Sequence, residues 1–135
     1  MMENLKKFYK IKMNLKHVIM LHEESKLQRQ CVQWFRLQFP QLVLFAIPNG
    51  GRRGKVEAAI MKGEGVLAGV ADLFLMLPTM AHNGLFIEMK THDGKQSDSQ
   101  RKFERKAREN SYEYKICRTF EDFRDVVLTY TDVSL

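Results

Sequence analysis

The tightest constraint on this chain is a dispersed set of two acids and a lysine, Asp72 and then Glu88-Met89-Lys90, each half placed against an apolar run. The runs are residues 73–77 and 85–87. Alternate side chains of a strand share a face. Glu88 and Lys90 therefore point one way, with Met89 turned into the core. If the two runs pair, Asp72 joins them at one end of a sheet. Two carboxylates and an ammonium gathered there suit a divalent cation and an oriented water. That is the equipment for cutting a phosphodiester.

At 135 residues and 44% hydrophobic content, the chain is long and apolar enough for one domain with a real core. There are 22 Lys+Arg against 16 Asp+Glu, a formal charge of +6. A basic chain whose acids gather at one place suits a polyanionic partner and a metal, although a soluble basic surface gives the same total. Cys31 and Cys117 stand far apart and form no CxxC pattern, which argues for a reducing compartment and against a disulfide or zinc framework. His17, His22, His82 and His92 have no zinc-ligand spacing. No apolar stretch is long enough to span a bilayer, and the N-terminus lacks a secretory signal pattern. A cytoplasmic protein without a membrane partner is expected.

Residues 1–22 read as a basic N-terminal arm or extra element, a strand or a mobile segment, with Lys6, Lys7, Lys10, Lys12 and Lys16 against the single acid Glu3. A solvated tail and a DNA-binding arm both fit. Residues 23–135 read as the main domain. Its first helix covers 23–38, where Leu27, Cys31, Trp34 and Phe35 recur at helical spacing before Pro40. At about 100° per residue, Glu24 lies near the centre of that apolar face and Glu23 well to one side. Gln28 follows Glu24 by one turn. A carboxylate near a buried face is costly unless paired or metal-bound.

The run 42–47 reads as a central strand ending in the turn signal Pro48-Asn49-Gly50-Gly51. Arg52, Arg53 and Lys55 follow. Glycines let backbone N–H groups approach a ligand, and arginines fork onto phosphate oxygens. An ordinary solvated loop has the same composition; beside the acids, phosphate contact is the favoured reading. A short helix over 55–63 is expected to turn Val56, Ala59 and Ile60 inward. Gly63, Gly65 and Gly69 lead to Asp72, then strand 72–77, a connection, and strand 85–90, most simply an antiparallel pair. Ser97 and Gln100 have the spacing of a capping box at the start of a helix. Phe103 and Ala107 extend the buried face from Gln100, so its amide also looks toward the acids. A strand over 112–117 and a helix with Phe120, Phe123, Val127 and Tyr130 inside complete the order α-β-α-β-β-α-β-α around a mixed sheet.

These residues carry a resemblance. Glu24 and Gln28 on a helix come first, then Pro48-Asn49-Gly50-Gly51-x-Arg53. Gly65-x-x-Ala68-Gly69-x-x-Asp72-Leu73 follows, then Ile87-Glu88-x-Lys90 and Gly94-Lys95-x-Ser97-x-x-Gln100. E-x-K alone is weak; the ordered set is specific. Over roughly residues 23–130 the chain resembles a VRR-NUC (virus-type replication-repair nuclease) domain of the PD-(D/E)XK superfamily, in its stand-alone, phage-like form. One position departs: the family commonly has proline before the first acid, and here it is Ala71. Proline there contributes backbone stiffness and no metal ligand.

The resemblance implies an α/β restriction-endonuclease-like fold and a metal-dependent DNA endonuclease. It implies that Asp72, Glu88 and the Met89 carbonyl bind Mg²⁺ or Mn²⁺, with Glu24 at a second metal or its water shell. Lys90 would orient the nucleophile, and Gln100 would fix Lys90 or a site water. Gln28 and Ser97 would support the site. Asn49, Gly50, Arg52, Arg53, Lys55 and Lys95 would meet DNA. Stand-alone members are similar to dimeric Holliday-junction resolvases, so a homodimer acting on branched DNA is expected. A non-catalytic DNA-binding protein on the same scaffold and a sequence-specific restriction-type endonuclease are the alternatives.

Overall fold

The computed structural model describes residues 1–48 and 54–134. The element order is α1 (Met2–Gln38), β1 (Leu44–Ala46), α2 (Lys55–Gly63), β2 (Leu73–Leu75), β3 (Leu85–Met89), α3 (Asp98–Glu109), β4 (Glu113–Cys117) and α4 (Phe120–Ser134). This is the α/β order expected. The four strands form one mixed sheet in the order β1-β2-β3-β4. β1 with β2 and β2 with β3 are antiparallel, and β3 with β4 is parallel. The parallel pair needs a crossover, and α3 supplies it.

The alternation of β3 sorts the layers. Leu85, Ile87 and Met89 face one side, where they pack with Cys31 and Phe35 of α1 and with Phe123, Val127 and Tyr130 of α4. Trp34 locks these two helices together, its ring lying 5.7 Å from Phe120 and 6.2 Å from Phe123. Phe86 faces the other side, where its ring meets Phe103 of α3 at 5.0 Å. Each large apolar side chain fully buried in this way stabilises by about 1.5–3 kcal/mol. Cys31 and Cys117 are both free and buried in the core.

Three expectations are corrected. Residues 2–22 form neither a strand nor a loose arm: they are the first half of α1, a 37-residue helix, so the boundary expected at 22/23 falls inside a continuous element. The stretch contains no Gly or Pro and is rich in Lys, Leu and Met, all good helix formers. The apolar run at 42–47 yields an edge strand, not a central one, and Val43 and Phe45 are exposed along it. In α2 no residue is fully buried, and Val56 and Ile60, expected to turn inward, stand out in solvent.

Candidate active site

Asp72 sits on the bend just before β2, opposite the end of β3. Register explains the meeting. Leu73 pairs with Ile87, so the residue before Leu73 arrives beside Glu88 and Met89. The Met89 N–H donates to Asp72 Oδ2 at 2.7 Å. The Asp72 carboxylate lies close enough for its charge to act on Glu88.

Glu88 is 2% exposed, unusual for a carboxylate and therefore informative. Burial, and then the adjoining Asp72 charge, push its pKa up to about 8; Lys90 and Tyr114 oppose the shift. Both of its oxygens are engaged. Gln100 Nε2 donates to Oε1 at 2.8 Å, and the Tyr114 hydroxyl donates to Oε2 at 3.3 Å. Gln100 thus braces Glu88, where contact with Lys90 or a water was expected. Its other end completes the capping box: Gln100 Oε1 accepts from the Ser97 N–H at 2.9 Å, and Ser97 Oγ accepts from the Gln100 N–H at 3.2 Å. One side chain therefore ties the start of α3 to the buried acid.

Gly69 makes this contact geometrically feasible. Its φ is +89°, and a Cβ there would lie 2.4 Å from the Ser99 carbonyl carbon and oxygen. Only glycine lets the segment leading to Asp72 lie against the first turn of α3. This accounts for glycine in the sequence pattern preceding the acid. Ala71, where proline was the family expectation, is fully buried.

Glu24 of α1 approaches from the opposite layer. It is half-buried, its Oε1 lies 3.5 Å from the Thr91 N–H, and burial raises its pKa, opposed by that N–H and by Lys90. Glu23 is exposed. Asp72 and Met89 join Glu24, Ser25, Gln28 and Arg29 along a cleft of about 670 Å³ between α1 and the sheet. Lys90 is half-buried and close enough for its charge to act on both Glu24 and Glu88. Lys55 and Lys95 are exposed. Asn49, Gly50, Arg52 and Arg53 lie outside the described residues.

The VRR-NUC domain model matches residues 14–121, most of the chain. The chain belongs to the VRR-NUC family. A solved structure described as a VRR_NUC domain protein is similar to it with a TM-score of 0.71 at 22% identity, covering 82% of this chain and 89% of that one. At that identity the likeness speaks for the fold, and it is the nuclease-like fold expected. Among curated proteins none matches.

Three participants were not singled out from the sequence. Tyr114 is 1% exposed and braces Glu88 from β4. Its position opposite Phe86, on the face Glu88 shares, was available from the strand alternation once the β3–β4 register was known. Thr91 contributes only its backbone, which no side-chain pattern reports. Arg118 gathers the loop after Lys90: its guanidinium donates to the carbonyls of Thr91 at 2.8 Å and Gly94 at 2.6 Å.

The donor set fits a hard divalent cation. Every side chain offered is an oxygen donor, and two carboxyls are pressed together at a site where one of them resists ionising. Among the described residues no three His, Cys, Asp or Glu side chains converge to hold an ion by themselves. Backbone carbonyl and water would complete the shell, as with the Met89 carbonyl expected to contribute.

Proposed function

We propose that this VRR-NUC protein is a divalent-metal-dependent DNA endonuclease that selects branched DNA and works as a homodimer on four-way junctions. The observation that carries the reading is the Asp72–Glu88 pair, braced by Gln100 and Tyr114 and adjoining a cleft that Glu24 and Gln28 line from the facing helix. Catalysis requires such groups to be held before the substrate arrives.

Asp72, Glu88 and the Met89 carbonyl would hold Mg²⁺ or Mn²⁺, and Glu24 a second ion or its water shell. When bound, the ion lowers the pKa of water and screens the phosphate charge. The chain's own residues do the rest. The Met89 N–H fixes one Asp72 oxygen. Gln100 and Tyr114 hold both Glu88 oxygens, so that carboxyl cannot swing away. Lys90 orients the attacking water and stabilises charge on the pentacovalent phosphate. Arg118 holds the loop after Lys90 against the end of β4.

Dimerisation is supported by exposed apolar surface. On the first half of α1, Leu5, Phe8, Ile11, Leu15 and Ile19 are all exposed and fall on one face. The apolar face of α2 is exposed as well. Contiguous apolar surface of this kind marks an interface. Two sites related by a symmetry axis accept only DNA arms that meet at the matching angle.

The test is cleavage of a four-way junction, a flap, linear duplex and single strands with Mg²⁺, Mn²⁺ or EDTA, with light scattering at the same concentration. A dimer that prefers the junction is expected. A monomer that cuts linear duplex as readily would overturn the junction and dimer parts, and absence of any cleavage would overturn the nuclease.

A further inference from the structure

The first half of α1 carries more than an apolar face. In an α-helix, residues 18 apart return to almost the same direction, since five turns take about 18 residues. Lys6, Lys7 and Lys10 therefore stand directly above Glu24, Ser25 and Gln28, which line the cleft. His17 lies between them on the same side, close enough to Glu24 for its charge to act on that carboxylate. Arg29 and Arg36 line the cleft further along the helix. One side of α1 thus offers cations on both sides of the candidate active site. Glu3, the only acid in this first half, lies at the far end. Lys12 and Lys16 fall on other faces. The VRR-NUC match begins at residue 14, so Lys6, Lys7 and Lys10 lie outside it.

We propose that Lys6, Lys7 and Lys10 form a phosphate-binding rail that grips one double-stranded DNA arm away from the cut. The proposal rests on the nuclease reading for the position of the scissile phosphate. At 1.5 Å rise per residue the lysines stand about 21–27 Å from Glu24. Phosphates along one strand repeat every 3.4 Å, so this is about 6–8 base pairs from the cut. All three lysines are exposed and reach with long flexible stems. A basic amphipathic helix also suits an anionic membrane surface. The alignment of Lys6, Lys7 and Lys10 with the cleft residues Glu24, Ser25 and Gln28 favours DNA.

The test compares the wild type, the triple variant Lys6→Ala/Lys7→Ala/Lys10→Ala and the control Lys12→Ala/Lys16→Ala. Kd is measured in EDTA for substrates whose arm extends about 4 or about 12 base pairs beyond the cut, over a range of salt. Each phosphate contact contributes about 0.9 to the slope of log K against log salt. The triple variant is expected to lose about 2–3 from that slope and to bind the long-arm substrate about 10- to 100-fold more weakly. Its preference for the long arm should vanish, while the control binds as the wild type does. Equal losses in both variants would mean a diffuse charge effect and overturn the rail, as would a triple variant that keeps the slope and the arm-length preference. Binding of the wild type to vesicles containing anionic lipid in preference to DNA would also overturn it. Cleavage by the wild type with Mg²⁺ reports separately on the nuclease reading.

Discussion

Replacing Glu88 with Gln should make the metal-free protein more stable at alkaline pH while removing its response to metal. Glu88 is buried, and its pKa is raised to about 8 from an ordinary 4.5. The folded state holds this proton more tightly than the unfolded state. The resulting stability is whole below the ordinary carboxylate pKa and is lost as pH rises through about 8. One pKa unit corresponds to about 1.4 kcal/mol, so the ceiling is about 5 kcal/mol. Relaxation and water entry around the ion reduce this to about 2–3 kcal/mol. For a domain of this size roughly 4 °C of Tm accompanies each kcal/mol, or about 10 °C in all. Glutamine keeps the volume, accepts from Gln100 and has no proton to lose in this range. Thermal melting in EDTA from pH 5 to pH 9 should therefore show the wild type losing about 10 °C relative to Glu88→Gln. Adding Mn²⁺ at pH 8.5 should restore the wild type and leave the variant unmoved. Parallel melting curves across the whole range, or equal stabilisation of both proteins by Mn²⁺, would show that Glu88 is neither the titrating group nor a metal ligand.

Glu24→Gln should lower the single-turnover cleavage rate at least tenfold, with Glu23→Gln close to wild type, since Glu24 is turned to the cleft and Glu23 to solvent; the reverse ranking would show that the inner acid is not the working one. Lys90→Ala should reduce the rate strongly while calorimetric Mn²⁺ binding persists, and Lys90→Arg should rescue it only in part, because a planar fork does not replace a compact ammonium. Gly69→Ala should destabilise the fold by about 2–4 kcal/mol in denaturant melts, combining the strain of a positive φ with a clash against backbone that has no room to move.

Much of the site was legible because it depends on strand periodicity and on short-range signals. Asp72, Glu88 and Met89 meet where two apolar runs pair antiparallel, and the runs themselves announced that pairing. The Ser97–Gln100 box is a local motif, and it formed; the second hydrogen bond of Gln100, to Glu88, depends on how α3 lies on the sheet and carries no spacing rule. Tyr114 is the same kind of case. Strand β1 and helix α2 carry apolar side chains that remain exposed, so equating apolar with inward places them wrongly. The reading of residues 1–22 rests on their lysines, and charge does not report that the segment continues α1.

Single-turnover cleavage of a labelled four-way junction at saturating protein, comparing the wild type with Asp72→Asn, tests whether Asp72 holds the working metal. The substitution removes one negative donor and almost no volume. The wild type should cut with Mg²⁺ or Mn²⁺ and stop in EDTA, leaving 5′-phosphate ends. Asp72→Asn should bind the junction with similar affinity and leave it intact under every metal condition. Cleavage by Asp72→Asn at a rate near that of the wild type, or undiminished wild-type cleavage in EDTA, would contradict the assignment.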